Sequence, residues 1–254
     1  MFVDTHAHYD DEAYAEDREA VLSSLTESGV DWIVNAAQDV RSAKQCISLA
    51  EKYPFVYAAV GIHPHEADSC SSDALGDLAK LAAHPKVVAI GETGLDYHYD
   101  FSPRERQKEN LIENLRLAKR TGLPVIIHDR EAHADVLEIM IREKVPAEKA
   151  VFHCYSGSAE MARLIADRGW YFSVGGAVTF KNARRIKEAL AVIPDSLLML
   201  ETDCPYMAPV PLRGTRNISS NIKYIAEEIA AVKGTSYEEI CRVTSSNARR
   251  FFGV

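Results

Sequence analysis

The feature that most constrains the fold of this chain is a regular alternation of short apolar runs with longer segments of helical period. Such alternation is typical of a parallel sheet whose strands are joined by crossover helices. We count eight apolar runs that have the length of a strand. The predicted strands are residues 2–5, 32–36, 56–60, 87–90, 125–127, 150–152, 171–174 and 197–200.

Helical patterns fill the segments between these runs, and others follow the eighth run. The predicted helices are residues 12–28, 41–52, 73–83, 103–120, 132–143, 159–167, 183–192, 222–232 and 237–252. In the clearest of them, Ser102 and Pro103 occupy positions typical of an N-cap and a first helical residue, and Gly122 stands just past the end. Eight such units favour an α/β fold of the (β/α)8 TIM barrel type, with parallel strands and outer helices, over an open doubly wound sheet. Counting strands alone does not prove that the barrel closes.

Composition and charge indicate the size of the core and limit the kinds of partner that the chain can bind. The chain has 254 residues, 47% of them hydrophobic, so we predict one large core and a single domain over residues 1–254. A formal net charge of −8 argues against a general basic surface for nucleic acid. Any phosphate group must therefore be bound by a local positive site. Five scattered cysteines without a C-x-x-C pair indicate neither a disulfide framework nor a zinc ribbon. The sequence shows no signal peptide, no membrane-length apolar run and no evident obligate protein partner, so we expect a cytoplasmic protein.

Histidines and carboxylates directly follow several of the predicted strands. His6 and His8 lie two positions apart at the end of the first strand, where alternation of side chains lets both project to one face. The corresponding residues at later strand ends are Glu92, His128, His153 and Asp203. Such side chains are costly to desolvate unless they are paired or bound to metal, and barrel active sites lie at this end of the strands. The sequence therefore predicts a metal centre.

The mixture of ligand types narrows the choice of metal and the number of ions. Imidazole together with carboxylate suits Zn²⁺, Mn²⁺, Fe or Co, whereas a shell of oxygens alone would suit Mg²⁺ or Ca²⁺. Four histidines and two carboxylates are too many for one tetrahedral site, so we predict two divalent cations, with Glu92 as the natural bridge between them.

The segments at the strand ends resemble, in order and spacing, the TatD family of metal-dependent deoxyribonucleases within the amidohydrolase superfamily. The resemblance covers essentially the whole chain. The segments are Asp4-Thr5-His6-Ala7-His8, Gly61-Ile62-His63-Pro64-His65, Gly91-Glu92-Thr93-Gly94-Leu95-Asp96, His128-Asp129-Arg130, His153-Cys154-Tyr155-Ser156-Gly157 and Glu201-Thr202-Asp203-Cys204-Pro205-Tyr206.

The resemblance implies specific roles for the residues of the metal centre. His6 and His8 would bind one metal, His128 and His153 would bind the other, and Glu92 would bridge them. Asp203 would complete the first site and act as a general base toward the attacking water. Glu92 and Asp203 are thus the candidate catalytic residues.

Four further residues are candidates for contact with substrate. His65 resembles a family position near the substrate phosphate, although a solvent-exposed loop histidine is an equally good interpretation. Arg130, Arg213 and Arg216 could donate to a phosphodiester, or could be ordinary loop cations.

The leading hypothesis is hydrolysis of phosphodiester bonds in DNA by metal-activated water, and the resemblance favours an exonuclease acting on single strands. A second hypothesis keeps the metal site and changes the substrate to an amide, ester or lactone. A third is a non-catalytic barrel that binds metal or nucleic acid. The imidazole ligands favour zinc or manganese, whereas the resemblance suggests activity with magnesium.

Overall fold

Eight strands form one sheet in the computed structural model, which describes residues 1–254, and the strands follow one another across the sheet in chain order. All eight predicted strands are present. Their bounds are β1 (Phe2–Ala7), β2 (Val30–Ala36), β3 (Val56–Val60), β4 (Val87–Asp96), β5 (Val125–Arg130), β6 (Ala150–Phe152), β7 (Tyr171–Val174) and β8 (Leu198–Leu200).

Helices alternate with these strands, which gives the chain the (β/α)8 barrel fold that the sequence predicts. Short 3₁₀ helices occur in several of the connections. The α-helices are α1 (Arg18–Leu25), α2 (Val40–Lys52), α3 (Ser72–Leu81), α4 (Arg104–Thr121), α5 (His133–Arg142), α6 (Ala159–Ala166), α7 (Arg184–Leu190), α8 (Ile222–Lys233) and α9 (Tyr237–Phe252).

The first and last strands are hydrogen-bonded to each other just beyond the end of β8. The backbone N–H of Asp203 donates to the carbonyl of His6 at 2.9 Å, and that of His8 donates to the carbonyl of Cys204 at 2.8 Å. Ala7 and Cys204 form a parallel bridge at the same point. Pairing of the two outermost strands is what distinguishes a barrel from an open sheet.

The structure corrects the extent of the first predicted helix. Residues 12–28 form a short 3₁₀ helix, Glu12–Tyr14, and then α1, which begins only at Arg18. Arg18 donates from its guanidinium to the carbonyls of Tyr9, Asp10 and Asp11, and this folds the start of the segment back against the loop. The prediction of one continuous helix was therefore wrong.

The start of α4 also differs from the prediction. Pro103 has an extended ψ of 137° and is itself the N-cap, so the helix begins at Arg104. Ser102 donates its hydroxyl to the carbonyl of His65 at 2.8 Å instead of capping the helix. The predicted end is confirmed, since Gly122 adopts the left-handed conformation with φ of 74°, which glycine adopts without strain.

Two compact units make up the chain. The first consists of residues 1–35 and 154–251, and the second of residues 36–153 with 252–254. In each unit the strands are buried on both faces, which explains why they are continuous apolar runs in the sequence. No helix of the chain is both long enough and apolar enough to cross a membrane.

Candidate metal centre

Three side chains of the first unit converge at the ends of β1 and β8. We call His6, His8 and Asp203 the first triad. The Nε2 atoms of the two histidines are 3.1 Å apart, and Asp203 Oδ1 lies 3.4 Å from His8 Nε2 and 3.9 Å from His6 Nε2. One ligand atom from each residue falls within 4.8 Å of the others, and both histidines are buried. Two imidazole nitrogens and a carboxylate oxygen at these distances are a donor set that fits one divalent cation.

Backbone pairing and one buried carboxylate bring the first triad together. The hydrogen bond from the N–H of Asp203 to His6 sets the two chain segments side by side. Asp4, fully buried two residues before His6, accepts from the N–H of Thr202 at 2.9 Å and from the Ser219 hydroxyl at 2.6 Å. Burial raises the pKa of Asp4 to about 7, although these donors oppose the rise. Asp4 thereby anchors the residue that precedes Asp203.

A second group of candidate ligands lies in the second unit, within or just after β3 to β6. We call His63, Glu92, His128 and His153 the second cluster. Glu92 Oε1 lies 2.6 Å from His128 Nδ1, 2.7 Å from His153 Nε2 and 3.4 Å from His63 Nε2. One carboxylate oxygen therefore faces three imidazole nitrogens. A cation could bind among these four atoms.

Protonation of the imidazoles in the second cluster follows from burial and from their acidic neighbours. Burial lowers the pKa of His63 to about 4, so this ring is neutral near pH 7. Its Nδ1 accepts from the backbone N–H of His65 at 3.1 Å, and its Nε2 faces Glu92. Burial also disfavours the charged form of His128, but hydrogen bonds to Asp96 and Glu92 outweigh it and raise the pKa of His128. A cation bound here would displace that proton.

Asp96, at the end of β4, connects the second cluster to the loop that follows it. Its Oδ2 lies 2.9 Å from His65 Nε2 and 3.1 Å from His128 Nε2, while its Oδ1 accepts from the N–H groups of His98 and Tyr99. Burial opposes ionisation of Asp96, but these donors, with His128 foremost, hold its pKa below the ordinary value. A carboxylate that orients a metal-binding imidazole from its far side supports ligand geometry in many metal sites.

Asp96 and His63 are the principal functional candidates that the sequence analysis did not single out. Both stand inside the motif segments, His63 two positions before His65 and Asp96 four positions after Glu92. Because β4 continues to Asp96 and pairs with β5, Asp96 is brought opposite Arg130 and beside His128. The sequence prediction ended this strand at residue 90 and so missed the pairing.

The predicted substrate-contacting residues fall in different surroundings. His65 is bonded to Asp96, and Arg130 lies with its guanidinium carbon 4.7 Å from the centre of the Tyr99 ring. In the first unit, Arg213 lies 4.0 Å from the centre of the Phe180 ring. Arg216 is the most constrained of the four.

Arg216 makes a two-point ion pair with Asp17, with N–O distances of 2.7 and 2.6 Å, and also donates to the carbonyl of Ala13. Its hydrogen bond holds the pKa of Asp17 below the ordinary value. Arg216 therefore ties its loop to the segment before α1, whereas Arg213 lies against the ring of Phe180.

Comparison with known proteins assigns the chain to a family. Residues 3–253 match a family model described as TatD related DNase. A relative from Bacillus subtilis, named uncharacterized metal-dependent hydrolase YabD, is 44% identical over 254 residues and covers 100% of both chains. A relative from Escherichia fergusonii, named 3'-5' ssDNA/RNA exonuclease TatD, is 31% identical over 248 residues and covers 95% of each chain.

A solved structure matches the fold of the whole chain. The crystal structure of YjjV, a TatD homologue from Escherichia coli, has a TM-score of 0.94 and 33% identity, and covers 100% of this chain and 98% of that one. Since family model, relatives and solved structure all match from end to end, the chain belongs to the TatD family of metal-dependent hydrolases.

Proposed function

We propose that this protein hydrolyses phosphodiester bonds in DNA with two divalent cations, as an exonuclease that acts on single strands. The observation that carries the proposal is the convergence of donor atoms in two places. The first triad and the second cluster each bring at least two imidazoles and one carboxylate to a point. The name of the Escherichia fergusonii relative supports single-stranded nucleic acid as the substrate.

The donor sets fit the metals that the proposal requires. Mixed nitrogen and oxygen ligands suit zinc and manganese, and the carboxylates also accept magnesium. When bound, such cations polarise a phosphoryl oxygen and lower the pKa of a water molecule, which makes hydrolysis feasible near neutral pH.

The side chains of the chain itself have distinct tasks under this proposal. His6 and His8 hold the ligand geometry of the first triad, and Asp203 takes the proton from the attacking water. In the second cluster, Glu92 and the histidines hold the other cation while Asp96 fixes the ring of His128. The resemblance to the family further implies that Glu92 reaches both cations.

Metal reconstitution followed by a panel of substrates tests the proposal. The protein is stripped with a chelator, reloaded with zinc, manganese or magnesium, and assayed on end-labelled single-stranded DNA, duplex DNA and RNA. We expect metal-dependent release of nucleotides one at a time from single-stranded DNA. Turnover of amide, ester or lactone substrates without nucleic acid cleavage would instead support the wider metal hydrolase alternative. Absence of any metal-dependent turnover would support a binding protein.

Replacing Arg213 and Arg216 together with alanine is expected to raise the Michaelis constant for DNA and to leave metal content unchanged. Each lost phosphate contact should reduce the slope of log affinity against log salt by about 0.7 to 0.9. Titrations of labelled single-stranded DNA at several salt concentrations measure that slope.

The single variants separate the two arginines. Because the donors of Arg216 are engaged by Asp17 and Ala13, we expect Arg213→Ala to account for the change in slope and Arg216→Ala to loosen the loop instead. An unchanged salt slope in the double variant would show that both are surface cations without a phosphate contact.

A further inference from the structure

Two aromatic side chains in the loop after β4 are unusually exposed. Tyr99 is 48% exposed and Phe101 is 69% exposed. Their rings are stacked on each other, with centroids 5.4 Å apart and an angle of 27° between the planes. We call this pair the aromatic platform. Large apolar surfaces in contact with water are unfavourable, so an exposed stacked pair beside a candidate active site points to a ligand that covers it.

Hydrogen bonds hold the platform in place without a ligand. Asp96 Oδ1 accepts from the N–H of Tyr99 at 2.9 Å, which fixes the start of the loop. At its other end the Ser102 hydroxyl donates to His65, and the buried amide of Gln107 donates to the carbonyl of Ser102 at 2.8 Å. A surface ordered in advance loses little conformational entropy when it binds a flat ligand.

The platform adjoins the second cluster and a cation. The His65 ring meets the Phe101 ring at 4.7 Å between centroids, and the His65 and His128 rings are 6.2 Å apart. The guanidinium of Arg130 lies 4.7 Å from the centre of the Tyr99 ring. The aromatic platform thus lies between the guanidinium of Arg130 and the candidate metal ligands of the second cluster, all within the second unit.

We infer that the aromatic platform stacks against an unpaired nucleobase, and that Arg130 meets a phosphate beside that base. The inference rests on the proposed function and specifies how a strand is held. A base in a duplex has both faces covered by its neighbours, so the platform selects a single strand or a frayed end. Stacking is tolerant of base identity, which suits an enzyme that degrades any sequence.

The net charge of the chain favours such a contact. With a net charge of −8, the protein gains little affinity for a polyanion from its overall electrostatic field. Stacking on Phe101 and Tyr99 supplies affinity that does not depend on net charge, and the guanidinium of Arg130 orients the backbone.

A double-mutant cycle tests the inference: one change is Phe101→Ala in the protein, and the other is the removal of one base from the strand. The metal-loaded protein is titrated with labelled oligothymidylate whose linkages are phosphorothioates, which slows cleavage. The titration is repeated with three further strands, each of which lacks the base at one of the last three positions. We expect Phe101→Ala to raise the dissociation constant for the complete strand by about tenfold, and to have no effect on the strand that lacks the matching base.

Two further readouts distinguish stacking from a general structural effect. The fluorescence of 2-aminopurine at the matching position is expected to be quenched by the wild type and by Phe101→Trp, and not by Phe101→Ala. Ile141→Ala removes a 42% exposed apolar side chain from α5 in the same unit, and should change neither affinity nor quenching. Metal content should remain that of the wild type in every variant.

The outcomes separate this inference from the proposed function. Equal losses of affinity on complete and base-lacking strands, or unchanged affinity in Phe101→Ala, would overturn the platform whether or not the protein cleaves DNA. A base-dependent loss in a protein that binds strands but never cleaves them would retain the platform and refute the nuclease. No measurable binding of the wild type to any strand would refute both.

Discussion

Replacing Glu92 with glutamine is expected to lower kcat for DNA cleavage by about 10³-fold and to deplete the second cluster of its cation. Glu92 Oε1 faces three imidazole nitrogens at 2.6, 2.7 and 3.4 Å, so it supplies the negative charge at the centre of that cluster. Glutamine preserves the shape and removes the charge. Elemental analysis of the purified variant, together with calorimetric titration of metal into the stripped protein, measures the loss.

The number of cations lost identifies the role of Glu92. Loss of one cation per chain makes Glu92 a ligand of the second cluster alone, and loss of both makes it the bridge that the family resemblance implies. Retention of two cations at wild-type affinity would contradict either role. Glu51→Gln is a matched control because the Glu51 carboxylate is exposed and paired with His84, and it should leave metal content and kcat unchanged.

Replacing Asp203 with asparagine is expected to lower kcat by about 10²- to 10⁴-fold while changing DNA affinity only slightly, because general base catalysis typically contributes that much. The Asp203 side chain retains 16% exposure and lies 3.4 Å from His8, so it faces both solvent and the ligands of the first triad. Asparagine keeps an oxygen near the metal but does not accept a proton from water. Single-turnover cleavage and equilibrium binding of DNA separate the two quantities.

Some loss of metal from the first triad is expected in Asp203→Asn, so the kinetics must be measured at saturating metal with occupancy determined in the same sample. Asp195→Asn is the control, since the Asp195 carboxylate is exposed and paired with Lys233. Weak DNA binding with normal turnover in Asp203→Asn would assign Asp203 to substrate positioning instead of proton transfer.

Much of the candidate site was predictable because its residues stand at the ends of locally encoded strands. The predicted bounds of β3, β6 and β7 coincide with those of the structure. The spacing of His6 and His8 predicts that both rings project together, and their Nε2 atoms lie 3.1 Å apart. These properties depend on alternation along a few consecutive residues, which a sequence displays directly.

Residues that act through neighbours distant in the chain were harder to identify. His63 joins the second cluster because parallel pairing of β3 with β4 sets it beside Glu92. Asp96 reaches His128 because β4 extends past its apolar run and stays paired with β5. Neither extension nor register has a signal in local periodicity, since both are set by hydrogen bonding between separate segments.

The sequence by itself determined the order of strands and helices, the types of candidate metal-binding side chain and their position after the apolar runs of the strands. These follow from apolar periodicity and from the cost of leaving a histidine or carboxylate buried without a partner. The tertiary structure decided that β1 and β8 pair through His6 and Asp203, that Arg216 is engaged by Asp17, and that Phe101 lies against His65 beside the second cluster. Each of these depends on contacts between segments far apart in the chain, whose free energy is gained only when the whole sheet has formed.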